Sequence, residues 1–143
     1  MVHVRRAAVI VAVVVAVTSA MPTGNAGPRG RTFVTNDCRR AEIRPRQVMF
    51  ACADGGFYMT QGEWTSWHRF RAVGSALFHL NDCTPSCAGG TFHTREGTIV
   101  LHRRERCPDV RRHHHVFTRA SITFHEPLLG HLHERAHLFC PNH

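Results

Sequence analysis

The sequence predicts a mainly β fold, a small antiparallel β-sandwich or barrel stapled by disulfides, and three observations lead to this prediction. Short runs in which apolar and polar residues alternate recur between residues 47 and 125, as is typical of half-buried strands. Turn-forming clusters such as Asp54-Gly55-Gly56 separate the runs at short intervals, which favours antiparallel connections. Six cysteines in 143 residues can cross-link a core that is small for its surface.

Five strands are predicted, at residues 47–52, 57–67 with a break at Gly62, 71–80, 91–103 and 116–125. The third places Ala72, Gly74 and Ala76 on one face, and such small residues suit a strand that another segment approaches closely. Trp64 and Trp67 lie an odd number of positions apart, so an uninterrupted strand would point them to opposite faces.

The C-terminal segment shows a different spacing of apolar residues. Leu128, Leu132, Ala136 and Phe139 recur at three- and four-residue intervals, which predicts a short amphipathic helix over residues 127–139.

The N-terminus has the layout of a secretory signal. Arg5 and Arg6 precede an apolar run at residues 7–17, and small residues follow. Eleven apolar residues are too few to span a bilayer, which takes about 20. We therefore expect a signal peptide at 1–20, no transmembrane segment in the mature chain, and a secreted or cell-envelope protein. The order predicted for that chain is a flexible leader at 21–37, a β domain at 38–126 and a His-rich tail at 127–143.

All six cysteines fall in the predicted mature chain, at Cys38, Cys52, Cys83, Cys87, Cys107 and Cys140. An even number behind an export signal indicates disulfides, although six cysteines can pair in 15 ways and the sequence alone does not choose among them. Cys83 and Cys87 also have a spacing that suits a zinc pair, which is the competing interpretation.

A set of short motifs follows in a fixed order: Cys52-Ala53-Asp54-Gly55-Gly56, Trp64-Thr65-Ser66-Trp67, Ala72-Val73-Gly74, Asn81-Asp82-Cys83-Thr84-Pro85-Ser86-Cys87-Ala88-Gly89-Gly90-Thr91-Phe92-His93 and Phe117-Thr118-Arg119. Together they resemble a family of small secreted actinobacterial proteins of uncharacterised function, found in mycobacteria and streptomycetes. The resemblance implies no activity. Cys107 and Cys140 lie outside the shared pattern, which implies that these two cysteines pair with each other.

The segment His133-Glu134-Arg135-Ala136-His137 matches the zinc-protease motif, in which two His on one helix face bind the metal and the Glu activates water. His143 stands where a third ligand would be, but Cys140 replaces the glycine that the extended pattern requires. With 13 His in the chain, chance matches are common. A zinc or copper site at His133, His137 and His143, with or without hydrolysis, is therefore the alternative function rather than the preferred one.

The preferred function is binding without catalysis. All 18 basic residues are Arg, and the predicted mature chain keeps 16 of them against 10 acidic residues, a net charge of +6. Such a surface binds polyanions without reading a nucleic-acid sequence. We expect anionic polymers of the cell envelope or of a host as partners, with Arg103, Arg104, Arg111 and Arg112 in contact. No catalytic residues and no required cofactor are predicted, and Asp54 and Asp82 are interpreted as turn residues.

Overall fold

The computed structural model describes residues 31–107 and 115–141. These residues form eight strands and no helix: β1 (Thr32–Thr35), β2 (Ala41–Glu42), β3 (Val48–Met49), β4 (Phe57–Trp67), β5 (Ala72–Asn81), β6 (Phe92–Arg106), β7 (His115–Leu128) and β8 (His131–His137). The prediction of a mainly β protein is confirmed. The predicted signal peptide at 1–20 lies outside the described residues.

The strands form one curled sheet that resembles a half-barrel. Its order is β2-β1-β7-β6-β5-β4-β3, and β8 pairs with β7 beside β1. Every pairing is antiparallel except that of β1 with β7, which is parallel. The long central strands β4 to β7 are neighbours in the chain as well as in the sheet, as short hairpin connections require.

The concave side of the sheet holds the core. Its largest fully buried side chains include Phe78, Phe117, Phe124, Met59, Ile99, Leu101 and Ile122. The predicted alternation is confirmed in β7, where Ala120, Ile122 and Phe124 are buried and the residues between them face outward. Burying these side chains supplies most of the favourable free energy of folding in a chain of this size.

The small-residue face of β5 is also confirmed, and the backbone of β4 explains it. A side chain added at Gly74 would place its Cβ 2.5 Å from the carbonyl oxygen of Glu63. In β4 the register shifts between Thr60 and Glu63, and Gln61 has a positive φ of 54°. This irregularity brings the β4 backbone onto β5, so only a residue without a side chain fits there.

We therefore expect Gly74→Ala to lower the free energy of unfolding by about 1–3 kcal/mol, the usual range for forcing extra atoms into a packed site. Ser75→Ala on the exposed side of the same strand is the matched control and should change stability little. Urea unfolding of both variants measures the difference. Equal urea midpoints for the two variants would contradict this expectation and show that the backbones of β4 and β5 can move apart to accommodate the methyl group.

The two tryptophans do not lie on opposite faces, contrary to the prediction. A second register shift between Trp64 and Ser66 inserts an extra residue, which restores both rings to the core side. Their centroids are 4.6 Å apart in an edge-to-face contact. Each indole N–H donates to a backbone carbonyl, Trp64 to Pro45 and Trp67 to Thr32.

Two further predictions need correction. The helix at 127–139 is wrong, because Leu129 and Gly130 have positive φ angles of 48° and 85° and turn the chain back so that β8 pairs along β7. Pairing with β7 provides hydrogen-bond partners for the backbone groups of β8. Only some of the apolar residues of the predicted helix are buried, and Leu132 stays 44% exposed.

The last part of the predicted leader at 21–37 is β1, in which Val34 is fully buried. A short run rich in β-branched residues is typical of a strand.

Three disulfides cross-link the sheet, and no described cysteine is free. They join Cys38 to Cys52, Cys83 to Cys87 and Cys107 to Cys140. The Cys107–Cys140 pairing that the family resemblance implied is therefore confirmed, and the zinc interpretation of Cys83 and Cys87 is not, because both sulfurs are bonded to each other. The last of the three bonds ties the end of β6 to the segment after β8.

Candidate anion-binding face

A row of basic side chains crosses the convex face of the sheet. Arg119 of β7 pairs with His102 of β6 on one side and with His137 of β8 on the other. Ala72 of β5 pairs with Leu101 of β6, so the antiparallel register places Arg71 beside His102. The amide of His68 donates to the carbonyl of Arg71 at 2.8 Å, which adds a fifth position. These five residues are called the cationic row.

The side chains of the row point away from the core, because the residues next to them in the chain point into the core. Ala72, Leu101, Ala120 and Ala136, each adjacent to a member of the row, are all buried. Since side chains alternate along a strand, the four members on β5 to β8 share the outer face. His68 is exposed and follows Trp67, whose ring packs against the core, so it extends the row at the turn. With strands about 4.8 Å apart, the row is roughly 19 Å long. Arg135, which pairs with Ser121 in the next position along the sheet, adds a further charge beside it.

His102 lies at the centre of this positive region. It is hydrogen-bonded through Nε2 to the hydroxyl of Ser121 at 3.0 Å. Burial lowers the pKa of His102 below its usual 6.5, and the charges of Arg71, Arg119 and Arg135 lower it further. A bound anion would counter the repulsion from these three arginines and so raise the pKa of His102.

The arginines around His102 have no acidic partner. Among the described residues, none forms an ion pair with Arg71, Arg119 or Arg135. The Nη1 nitrogen of Arg119 is shielded from solvent and has no hydrogen-bond acceptor among the residues that the structure describes. A shallow groove of about 430 Å³ is lined by His102, Arg119 and Arg135, and also by Arg103 and Ser121. An unpaired, partly desolvated guanidinium is a group that an anionic ligand stabilises.

The other end of the convex face also carries an acidic residue. Glu96 precedes the buried Gly97 and so faces outward, where it lies 3.9 Å from His125. Glu96 and His102 are six positions apart on β6, which corresponds to about 20 Å. The unbalanced positive charge of this face is therefore concentrated at the end that bears the cationic row.

The structure separates the four arginines that the sequence singled out. Arg103 donates to Glu105 at 2.8 Å and lies at the rim of the groove. Arg104 turns to the end of the half-barrel, where it donates to Thr32. Arg111 and Arg112 lie outside the described residues. The basic residues that converge are instead Arg71, Arg119 and Arg135, whose outward direction follows from alternation but whose alignment depends on the strand register.

The proposed metal ligands do not converge as the protease motif requires. His133 and His137 lie on a strand rather than a helix, so their backbones are about 13 Å apart. Zinc binds imidazole nitrogens at about 2 Å, and the four-residue spacing of the motif brings two His to one ion only on a helix. Glu134, between them, pairs with Ile122 and faces the other side of β8. His143 lies outside the described residues.

The only cluster of three potential ligands among the described residues is Asp54 with Cys83 and Cys87. Because the two cysteines form a disulfide, neither supplies the thiolate that a metal ion binds.

Asp54 and Asp82 hold turns, as predicted. Asp54 accepts a hydrogen bond from the amide of Gly56. Asp82 accepts bonds from the amides of Thr84 and Thr91 and contacts His93 at 3.0 Å. The Thr91 amide makes the largest contribution in lowering the pKa of Asp82 to about 2, with further contributions from His93 and Thr84. Its carboxylate fixes the Cys83–Cys87 loop against the start of β6.

No protein-family model, curated protein or solved structure matches this chain. The resemblance to small secreted actinobacterial proteins therefore stays an expectation from the sequence motifs. Residues 31–107 and 115–141 also contain no helix of the length and apolar character needed to cross a membrane.

Proposed function

We propose that this is a secreted, disulfide-linked binding protein whose cationic row engages anionic polymers of the cell envelope or of a host. The observation that carries the proposal is the alignment of five basic side chains from neighbouring strands on one face. Within residues 31–107 and 115–141 no acidic residue forms an ion pair with the arginines of this row. The three disulfides support an oxidising compartment, where such bonds persist.

The shape of the site favours an extended ligand. The groove beside the row is open and shallow, so it does not enclose a small molecule as ligand pockets usually do. A row about 19 Å long instead presents charges at regular strand spacing, which suits a chain with repeated anionic groups. Recognition of this kind depends on charge density and releases counterions from the polymer.

Retention on a heparin column, measured at several salt concentrations and at pH 7.5 and 5.5, tests the proposal. We expect elution to require more salt at pH 5.5, because His102 gains a proton as the pH falls and bound anion favours its charged form. Of the groups that face His102, Arg71, Arg119 and Arg135 keep their charge over this range, and Ser121 is neutral.

Two results of that measurement would count against the proposal. Elution below about 0.15 M salt, where the Debye length is about 8 Å, would mean that the basic surface only keeps the protein soluble. Retention that does not change between pH 7.5 and 5.5 would mean that the polymer does not contact the histidines of the row.

A further inference from the structure

The turn between β4 and β5 exposes an aromatic ring beside two arginines. Phe70 is 65% exposed. The guanidinium carbon of Arg69 lies 5.1 Å from the centre of its ring, and that of Arg104 lies 5.9 Å from it. Both distances are within the range of cation–π contacts. This turn therefore combines an exposed apolar group with positive charge drawn from two different parts of the chain.

Two nitrogen atoms near Thr32 lack hydrogen-bond partners in the described part of the chain, one on Arg104 and one on His115, which pairs with Thr32. The Nε of Arg104 donates to the hydroxyl of Thr32 at 3.1 Å, which fixes one edge of the guanidinium. Its Nη2 nitrogen and the Nδ1 nitrogen of His115 are shielded from solvent and have no hydrogen-bond partner within residues 31–107 and 115–141. Buried polar atoms without partners are rare because each costs free energy. Both nitrogens can donate to an anion, His115 Nδ1 when it carries a proton.

The charges of this cluster repel one another. Burial lowers the pKa of Arg104, and the charge of Arg69 lowers it further. Burial also lowers the pKa of His115, followed by the charges of Arg104, Arg106 and Arg69. Among the described residues no carboxylate forms an ion pair with Arg69, Arg104 or His115. An anion bound here would remove the repulsion and provide acceptors for both nitrogens.

We propose that Arg104 and His115, with Arg69 beside them, form a binding site for a single phosphate group at the β4–β5 turn. A phosphate offers several acceptor oxygens in different directions, which suits donors from β6, β7 and the turn. The exposed ring of Phe70 lies where the group carrying the phosphate would extend, and a phenyl ring next to basic groups suits the surface of an anionic membrane. The phosphate can thus belong to a lipid headgroup or be free in solution. The turn joins His68 and Arg71 of the cationic row, but Arg69, Arg104 and His115 are not members of the row. The inference therefore goes beyond the proposed binding of polymers.

Titration with inorganic phosphate at constant ionic strength tests the site directly. The NMR signals of the His115 ring should shift, and the pKa of His115 should rise, because the bound anion favours the protonated ring. Arg104→Gln should weaken phosphate binding at least about tenfold, as loss of a charge-assisted hydrogen bond does. Arg46→Gln, at an exposed arginine outside both sites, is the matched control and should leave the effect unchanged.

Sedimentation with lipid vesicles distinguishes the two sources. If the phosphate belongs to a headgroup, the protein should sediment with phosphatidylglycerol vesicles and not with phosphatidylcholine vesicles, and Phe70→Ser should weaken vesicle binding without changing the response to inorganic phosphate. A response to phosphate without vesicle binding would assign the site to a soluble phosphate.

Two outcomes would overturn the proposal. One is an unchanged His115 signal in wild-type protein at phosphate concentrations up to about 50 mM, well above those at which a site of millimolar affinity saturates. The other is equal phosphate binding by wild type and Arg104→Gln. If Arg104→Gln does not fold, His115→Gln is used in its place. The measurement is then the increase in thermal stability that phosphate gives to wild type and to this variant. An equal increase in both would likewise overturn the proposed site.

Discussion

Replacing Arg119 and Arg135 by Glu should weaken binding to heparin at least about a hundredfold at 0.1 M salt. Each arginine is expected to make one charge-assisted contact with the polymer, and such contacts contribute about 1.5 kcal/mol or more each. The slope of log K against log salt should also become shallower by about two, one for each anionic group that is no longer neutralised. Titration at three or more salt concentrations measures both quantities.

The control for this variant must change the net charge equally. Arg46→Glu combined with Arg95→Glu does so, and both residues are exposed and distant from the cationic row. We expect this second double variant to lose several-fold in affinity at most. If the two double variants bind equally weakly, overall charge rather than the row determines binding, and the proposed site is wrong.

The second large effect concerns the disulfide that holds the C-terminal segment. Cys107 and Cys140 are separated by 33 residues, and opening a loop of that length should cost about 4 kcal/mol of stability in the chain-entropy treatment. We expect Cys107→Ala with Cys140→Ala to lower the free energy of unfolding by about this amount. Because Cys107 is buried, Ala is preferred over Ser, which would bury a hydroxyl. Urea unfolding without reductant measures the change.

The short Cys83–Cys87 loop provides the comparison. Its cysteines are separated by four residues, so the same treatment gives only about 2 kcal/mol for Cys83→Ala with Cys87→Ala. An equal or smaller loss for the long loop would contradict the expectation and show that β8 and its following segment are held by strand pairing and by the burial of Ala136 and Leu138 alone.

The alternation of apolar residues was enough to predict the central strands. In β5 and β7 the buried positions, such as Phe78 and Ile122, are those that a period of two assigns to one face. The small residues of β5 even predicted the close approach of another segment at Gly74. Such features are local, because each depends on the chemistry of a residue and of its neighbours along the same strand.

The errors arose where local patterns permit two structures. Leu128, Leu132 and Ala136 fit a helical spacing, yet β7 offered unpaired backbone groups to the returning chain, and pairing with them produced β8 instead. The bulge after Trp64 likewise reversed the expected direction of one ring, because an inserted residue changes the alternation without leaving a clear mark in the sequence.

The sequence by itself determined the excess of arginine, the positions of the central strands, the outward direction of Arg119 and the number of cysteines. The tertiary structure alone decided which basic residues meet. Arg71, His102, Arg119 and His137 come from four separate segments, and a shift of one residue in any pairing would turn that strand's contribution into the core. Register is fixed by the packing of the opposite face, where Phe78, Ile99 and Ile122 must fit together. The candidate site is therefore a consequence of core packing, which no local pattern of charges encodes.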